Sequence, residues 1–301
     1  MKKGCLIIVF LCLLSIGCLL LSQNPVLSQG YTKVTEGVYM ISRYGCNIAI
    51  VLGKDSLLVI DTGFKGSASK TDSVISTISK LPIKYLLDTH FHYDHIGGNK
   101  KLSEDGAAIV AQENTKKRML IEWNPPEMAG VKYPNLPPYP EEFLPNICFK
   151  DSFNIYFNND IIHCVNLPNA HSDCDVIYIF KNANIIHTGD LFLSNGFPVV
   201  DIYSGGTIDG YIKAVDNVIK RCNEKTIIIP GHGSISNRQG LVEYRNMLSA
   251  ARNNIEKLVK EGKTFDEVIA MDPTKDLYKG GKSWLAPKLF VYTVYQELLN
   301  K

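Results

Sequence analysis

The densest group of chemically active side chains lies in residues 89–95 (THFHYDH), where three imidazoles and a carboxylate occupy six consecutive positions. With only 7 His in 301 residues, so tight a group is not expected by chance. Neutral imidazole and carboxylate suit a borderline divalent metal such as zinc. His90 and His92 are two residues apart and point the same way if the preceding strand continues. Asp94 and His95 fall beyond the strand end, so they are free to turn toward a second ion.

Three further candidate ligands each follow an apolar strand, where a site gains rigidity from the sheet and access from the loops. They are His171, Asp190 and His232. Two other imidazoles, His163 and His187, lie within strand-like runs. We therefore assign these two to the structure of the protein rather than to metal binding.

A framework of short strands and helices is predicted to position these residues. Residues 34–60 contain short apolar or β-branched runs, over 34–41, 47–52 and 56–60, separated by Gly and charged turns, which is typical of an antiparallel meander. A helix over 67–80 and a strand over 84–88 follow, so the metal-ligand cluster comes directly after a strand. The further predicted elements are a short helix entered at residues 97–99, strands over 107–111 and 226–229, and hairpins over 152–166 and 175–187. Five helices are predicted over 113–123, 207–221, 237–261, 264–270 and 284–300. Mixed sheets with helices outside are the expected outcome.

Two pairs of segments in the chain show weak internal sequence similarity. Residues 56–63 resemble residues 184–190, while residues 84–90 and 225–232 both run from an apolar strand into a His. Duplicated halves predict two sheets packed face to face, with helices on the outer sides.

Between residues 124 and 145 the composition changes sharply, with seven prolines and the scattered aromatic residues Tyr133, Tyr139 and Phe143. No regular helix or strand is expected at that density of proline. A long irregular insertion is usually either a disordered excursion or a functional loop. The aromatic residues favour an ordered rim or lid.

The N-terminal segment has the layout of a secretory signal peptide. Lys2 and Lys3 precede an apolar stretch over residues 6–21, and the small or polar sequence of residues 22–28 follows. The apolar stretch is short for a membrane span, so we expect residues 1–30 to direct export, periplasmic or secreted, and to be removed. A retained N-terminal anchor, or a lipid on Cys18, is the less favoured alternative.

Residues 31–301 are expected to form one domain that ends in a helical segment over 236–301. Without Lys2 and Lys3 the 32 basic residues become 30, equal to the 30 acidic ones. A nearly neutral domain lacks the excess of basic residues that binds a phosphate backbone, which disfavours nuclease activity. Five Cys lie beyond residue 30, and their odd number and spacing match neither a disulfide framework nor a zinc ribbon.

Five motifs of this sequence resemble, in their order, those of the metallo-β-lactamase superfamily. They are Val59-Ile60-Asp61-Thr62-Gly63, Thr89 to His95 with the following Gly97-Gly98-Asn99, Ala170-His171-Ser172-Asp173, Thr188-Gly189-Asp190 and Pro230-Gly231-His232-Gly233. The resemblance covers residues 31–235 and is highly specific in combination. It implies an α+β fold, a four-layer αβ/βα sandwich of two mixed β-sheets flanked by helices, with a dinuclear metal centre in a cleft along one edge.

The same resemblance implies which residues hold the two ions, with three ligands for each ion and one carboxylate shared between them. The ligands are His90, His92 and His171 for one ion, Asp94, His95 and His232 for the other, and Asp190 as the bridge. Asp61 is interpreted either as a residue that fixes a ligand imidazole by accepting its N–H or as a simple turn residue before Thr62-Gly63.

The predicted function is that of a zinc-dependent hydrolase that cleaves an ester, lactone, thioester or amide/lactam bond of a small molecule with a metal-bridged hydroxide. Asp94 is predicted to be catalytic, because it can orient that hydroxide or accept its proton. Two Zn²⁺ are the expected cofactors, with iron or manganese as alternatives. A small-molecule substrate is the expected partner, with no nucleic acid and no stable membrane partner once the leader is removed.

Two alternative functions use the same fold. The first is that of a β-lactamase proper, which is not favoured, because the best-known zinc β-lactamases with Cys at the fourth motif lack the bridging Asp. Asp190 instead resembles the residue of glyoxalase II, lactonases and other hydrolases of the superfamily. The second alternative is an iron-dependent oxidoreductase, such as a persulfide dioxygenase or a diiron oxygen reductase. A diiron oxygen reductase would resemble the pattern HxExDH, which has Glu in place of the second His. Residue 92 is His here, so this alternative is disfavoured.

Overall fold

The computed structural model describes residues 30–280, 283 and 287–301. The predicted signal peptide lies outside the described residues except for Gly30, so it stays a prediction, as does the assignment of residues 31–301 to one domain. Within the described part of the chain, no helix has the length and the apolar composition that crossing a bilayer requires.

The first half of the chain forms a seven-stranded sheet in which the strands follow their order in the sequence. They are β1 (Thr32–Thr35), β2 (Val38–Ile41), β3 (Ile48–Leu52), β4 (Leu57–Ile60), β5 (Ile83–Leu87), β6 (Ala108–Gln112) and β7 (Ile147–Phe149). Strands β1 to β4 pair in antiparallel fashion, and β4 to β7 pair in parallel. The helices between the parallel strands are α1 (Ala68–Ile78), the short α2 (Tyr93–Ile96) and α3 (Asn99–Leu102), and α4 (Glu113–Met119).

The second half forms a six-stranded sheet in the order β13-β12-β11-β10-β9-β8. Its strands are β8 (Ser152–Phe157), β9 (Asp160–Asn166), β10 (Val176–Phe180), β11 (Ile185–His187), β12 (Ile227–Ile229) and β13 (Ser236–Asn237). Strands β11 and β12 are parallel, and the other neighbours are antiparallel. The helices of this half are α5 (Ile208–Arg221), α6 (Arg238–Lys260), α7 (Phe265–Met271) and α8 (Pro287–Leu299).

The central strands are apolar on both faces, because each face packs against a different layer. In β4, Leu58 packs between the two sheets, whereas Leu57 packs with Ile75 of α1. In β10, Tyr178 packs between the sheets, whereas Ile179 packs with the apolar side chains of α5 and α6. The two sheets thus share one inner core and carry helices on their outer faces, which confirms the predicted αβ/βα sandwich.

Two local predictions about strands were wrong. The run over residues 34–41 divides into β1 and β2, because Gly37 has a φ of 75° and turns the chain between them. Strand β7 was not predicted, because it lies at the sheet edge with Ile147 and Cys148 exposed and therefore lacks the pattern of a buried strand.

Four helices begin one residue after their predicted first residue, which is the N-cap of the helix, and in three of them the side chain of that residue caps the helix. The side chains of Thr207, Asn237 and Thr264 accept hydrogen bonds from the backbone N–H groups of Gly210, Gly240 and Glu267. The last predicted helix, over 284–300, corresponds to α8, and residues 284–286 lie outside the described part of the chain.

Candidate metal centre

The structure brings all seven predicted ligands together at the edge where strands of both sheets end. They follow four different strands: His90, His92, Asp94 and His95 follow β5, His171 follows β9, Asp190 follows β11 and His232 follows β12. The loops after the paired parallel strands are tied by equivalent bridges, Gly63 to Ile96 in the first half and Leu193 to His232 in the second. In both halves, therefore, a parallel bridge between the loops that follow two paired strands holds the candidate ligands in place.

In the first group, three imidazole nitrogens face one another. Nδ1 of His92 lies 3.0 Å from Nε2 of His90 and 2.8 Å from Nε2 of His171. The three nitrogen atoms are among those close enough together to hold a metal ion. A cation at their centre would satisfy lone pairs that otherwise repel one another. These are the residues predicted for the first ion, and metal binding by them stays a prediction.

The second group combines one carboxylate with two imidazoles. Oδ2 of Asp94 lies 3.7 Å from Nε2 of His95 and 3.4 Å from Nε2 of His232. The two imidazole nitrogens are 3.3 Å apart. This second group could also hold a metal ion. It contains the residues predicted for the second ion.

Asp190 lies between the two groups. Its Oδ1 atom is 3.2 Å from Nε2 of His95 and 3.3 Å from Nε2 of His232, and its Oδ2 atom is 3.8 Å from Nε2 of His171. Oδ1 is buried and accepts no hydrogen bond among the described residues. Burial opposes a charge on this carboxylate, but His232 and His95 hold the pKa of Asp190 well below its ordinary value. An ionised, buried oxygen whose nearest polar neighbours are the candidate ligand imidazoles fits a position beside a cation.

Asp61 fixes two of the ligand imidazoles. Its Oδ2 atom lies 2.8 Å from Nδ1 of His95 and accepts a hydrogen bond of 2.9 Å from the hydroxyl of Thr89. That hydroxyl in turn lies 3.0 Å from Nδ1 of His90. Because a carboxylate only accepts, Nδ1 of His95 is the protonated nitrogen and Nε2 turns its lone pair to the site. Of the two interpretations of Asp61, these contacts favour the one in which it holds a ligand.

Asp201 and the carbonyl of Val199 play the same part for the first group. Nε2 of His92 lies 2.9 Å from Oδ2 of Asp201, and Nδ1 of His171 donates to the Val199 carbonyl over 2.8 Å. Burial opposes the charge on Asp201, but the hydrogen bond from His92 lowers the pKa of that carboxyl group. Sequence reasoning missed Asp201, because no motif in its loop marks it and its partner lies 109 residues away.

The two groups differ in their electrostatic character. Burial, together with the neighbouring imidazoles, holds the pKa of His90 well below its usual value, so that ring is neutral and ready to ligate. Burial also opposes a charge on His95 and His232, yet the surrounding acidic groups, Asp190 among them, raise the pKa of both rings. The second group therefore attracts positive charge.

Gly231 leaves the space that the Asp190 carboxylate occupies, since a Cβ atom at residue 231 would overlap Oδ1 of Asp190. We expect Gly231→Ala to displace this carboxylate and to lower the metal content by about one ion per chain, although no ligand is removed. Plasma mass spectrometry after equilibrium dialysis measures this. Gly66→Ala is the matched control, because a Cβ there meets no atom within 4 Å, and it should keep the full metal content. Equal metal content in both variants would contradict a role for Asp190.

The buried Asp88 side chain lies next to the ligand loop, and its ionised form destabilises the folded protein. Its effect on the free energy of unfolding therefore depends on pH. Its Oδ2 atom accepts a hydrogen bond of 2.9 Å from Asn99, and its Oδ1 atom has no partner among the described residues. Burial and the nearby charge of Asp61 raise the pKa of Asp88 well above its usual value. Its contribution to stability is thus fully present below the unfolded pKa, about 3.9, and is lost as pH rises through the folded pKa.

We therefore expect Asp88→Asn to melt at a higher temperature than the wild type at pH 7 and at a similar temperature near pH 4. Between the two pKa values the difference in the free energy of unfolding should grow by about 1.4 kcal/mol for each pH unit. Thermal unfolding from pH 4 to pH 8 measures it. The exposed Asp105→Asn variant should show no such difference. A difference for Asp88→Asn that shrinks as pH rises would contradict this assignment.

A cavity of about 250 Å³ opens over the two groups of ligands. Phe64, Tyr93, Trp123, Met128 and Tyr133 are among the side chains that line it together with the ligands. Two of them, Met128 and Tyr133, belong to the insertion over 124–145. The predicted rim of the site is therefore present, while movement of this segment as a lid stays a prediction.

Pairs of backbone hydrogen bonds hold most of the insertion, which also contains a short 3-10 helix over Glu141–Phe143 that was not expected at this density of proline. Trp123 and Leu136 exchange bonds of 2.8 and 2.9 Å, and Met128 and Val131 exchange bonds of 2.9 and 2.8 Å. The helix predicted over 113–123 ends at Met119, because Trp123 leaves it to pair with Leu136. This long-range pairing overrides the local helical pattern.

Comparisons with known proteins agree with this architecture. The profile of a family described as the metallo-beta-lactamase superfamily matches residues 41–232. The chain is 29% identical over 180 residues to "Hydroxyacylglutathione hydrolase GloC" of Haemophilus influenzae, which covers 58% of this chain and 79% of that protein. It is also 29% identical over 153 residues to "Hydroxyacylglutathione hydrolase" of Pelagibacter ubique, covering 50% of this chain and 52% of that protein. A solved structure, "Metallo-beta-lactamase from Pontibacter korlensis", superposes with a TM-score of 0.60 at 18% identity, covering 73% of this chain and 98% of the other.

Proposed function

This chain belongs to the metallo-beta-lactamase superfamily and is a metal-dependent hydrolase, and on that premise we propose that it cleaves an acyl bond of a small molecule with two divalent ions, zinc foremost. The bond is an ester, lactone, thioester or amide. One observation carries the proposal: two groups of donors, each with three residues, lie on either side of the Asp190 carboxylate.

The donor set supports zinc as the first choice of metal. Imidazole nitrogens and carboxylate oxygens are ordinary zinc ligands, and the hydrogen bonds from the outer nitrogens of His92 and His95 to carboxylates are the usual support of such ligands. Iron and manganese accept the same donors, so metal analysis decides between them.

The chain's own residues supply positioning and proton transfer. When bound, two divalent ions would polarise the attacked carbonyl and lower the pKa of water from about 15.7 toward 7. Asp94 lines the cavity with 16% of its side chain exposed, so it can accept the proton of the attacking water and return it to the leaving group. Asp61 and Asp201 keep the imidazoles oriented, and the ring of Trp123 restricts bulk water at the cavity wall.

A side-chain nucleophile is not required. Among the described cysteines, Cys46 comes near the ligands, and burial raises the pKa of its thiol to about 12. A protonated, buried thiol is a poor nucleophile. Among the acyl bonds we place a thioester first, because both curated relatives reported above are named for the hydrolysis of hydroxyacylglutathione, which is a thioester.

The test combines metal analysis with a substrate panel of a thioester, a lactone, nitrocefin and an aryl phosphate. We expect two zinc ions per chain and turnover of at least one acyl substrate. His171→Ala should lose metal and activity, whereas His163→Ala should keep both, because His163 lies on β9 and contacts Asn154 instead. Iron with oxygen consumption, or metal-free protein of full stability, would overturn the proposal.

A further inference from the structure

A second cavity adjoins the metal cavity and has no part in the function proposed so far. Its volume is about 420 Å³, compared with about 250 Å³ for the metal cavity. Phe64 and Tyr93 line both cavities, and their rings lie 5.6 Å apart. Phe64 is 37% exposed, although it is a large apolar side chain. The second cavity therefore begins at the wall where the metal cavity ends.

The wall of this second cavity offers few hydrogen-bond donors. Four of its lining residues are prolines, which have no backbone N–H: Pro134, Pro137, Pro138 and Pro140. Leu136 and Phe143 add apolar surface, and the charged lining residue Lys65 lies with its ammonium group 5.5 Å from the Phe143 ring. Lys65, Tyr93 and Tyr139 are the lining residues with polar side-chain groups, so a polar ligand would replace few of its hydrogen bonds to water here. The cavity, which we call the proline cavity, therefore suits an apolar occupant.

The wall is also held firmly in place. Leu136 exchanges two backbone hydrogen bonds with Trp123, and the N–H of Tyr139 donates to the carbonyl of Met119 over 2.8 Å. Phe143 is 3% exposed and anchors the end of the segment in a buried cluster with Met119. A cavity formed before the ligand arrives loses little free energy to ordering when the ligand binds.

We infer that the proline cavity binds the apolar acyl chain of the substrate while the reacting bond lies in the metal cavity. The substrate class is thus an ester or thioester of a medium-length hydrophobic acid. This inference rests on the proposed function, because the metal cavity places the reacting bond. Each methylene that enters the cavity should raise kcat/KM about fourfold, until the cavity is full.

The experiment measures kcat/KM of the metal-loaded protein on thioesters from acetyl to decanoyl. We expect a steep rise with chain length. Gly66→Trp should lower the decanoyl-to-acetyl ratio at least tenfold, because Gly66 lines the cavity and a Cβ there meets no atom within 4 Å. Leu136→Ala should shift the optimum to longer chains. The control is Leu120→Trp, at a residue that is 49% exposed and lines neither cavity, and it should leave the ratio unchanged.

Failure of this inference differs from failure of the proposed function. Turnover that does not depend on chain length, or a ratio that Gly66→Trp leaves unchanged, would overturn the inference while the hydrolase stands. Absence of turnover on every acyl substrate, lactones and amides included, would instead contradict the proposed function. In that case calorimetric titration with decanoate decides: binding weakened at least tenfold in Gly66→Trp but not in Leu120→Trp supports the proline cavity, and equal affinity in the three proteins overturns it.

Discussion

Removal of bound metal by a chelator is expected to abolish hydrolysis and to lower the melting temperature by roughly 10 °C or more. An ion present at 1,000 times its Kd stabilises the folded state by about 4 kcal/mol, and each kcal/mol shifts the melting temperature of a domain of this size by about 2 to 4 °C. The structural reason is the crowding of three imidazoles, because Nδ1 of His92 lies 3.0 Å from Nε2 of His90 and 2.8 Å from Nε2 of His171. Without a cation these lone pairs repel one another.

Scanning calorimetry with and without chelator measures the shift, and added zinc should restore both the melting temperature and the activity. His171→Ala is the informative comparison, because the chelator should shift its melting temperature much less than that of the wild type. An unchanged melting temperature in chelator, together with retained activity, would contradict the proposed metal centre.

Asp94→Asn is expected to lower kcat about 100- to 10,000-fold while the protein stays folded. The substitution keeps the size of the side chain and one carbonyl oxygen, but it removes the carboxylate that can accept a proton. Oδ2 of Asp94 lies 3.4 Å from Nε2 of His232, so Asp94 also belongs to the second donor group. Metal content must therefore be measured beside kcat.

Two outcomes separate these roles of Asp94. Full metal content with a severe loss of kcat, and a changed pH profile, would identify a catalytic carboxylate. Loss of one ion per chain would make it mainly a ligand, and unchanged turnover would refute the catalytic role. Asp105→Asn, at an exposed position away from the site, is the matched control and should leave kcat and metal content as they are.

The sequence was sufficient to predict which candidate ligands the fold brings together, because each of them is marked locally. His90 and His92 alternate after an apolar strand, and His171, Asp190 and His232 each follow one, so the strand pattern alone places them at sheet ends. The sandwich was likewise predictable, because its central strands are continuous apolar runs that only a doubly covered sheet can bury.

The contacts that complete the site depend on pairs of residues far apart in the chain, and no local pattern reveals them. Asp201 supports His92 across 109 residues, and Trp123 leaves the predicted helix for a partner in the insertion. The ambiguity of Asp61 had the same origin, because a turn residue and an imidazole acceptor look alike until the partner is known. Its contact with His95 in the folded chain removes that ambiguity.

The donors at the shared edge of the two sheets join distant parts of the chain. His95 and His232 are 137 residues apart in the chain and 3.3 Å apart in space, while all five described cysteines are free thiols. Bound ions would then cross-link distant parts of the chain, as a disulfide does in other proteins. Because zinc, imidazole and carboxylate are not redox-active, a link made by zinc would hold equally in reducing and oxidising surroundings, and scarcity of metal rather than a change of redox potential would open it.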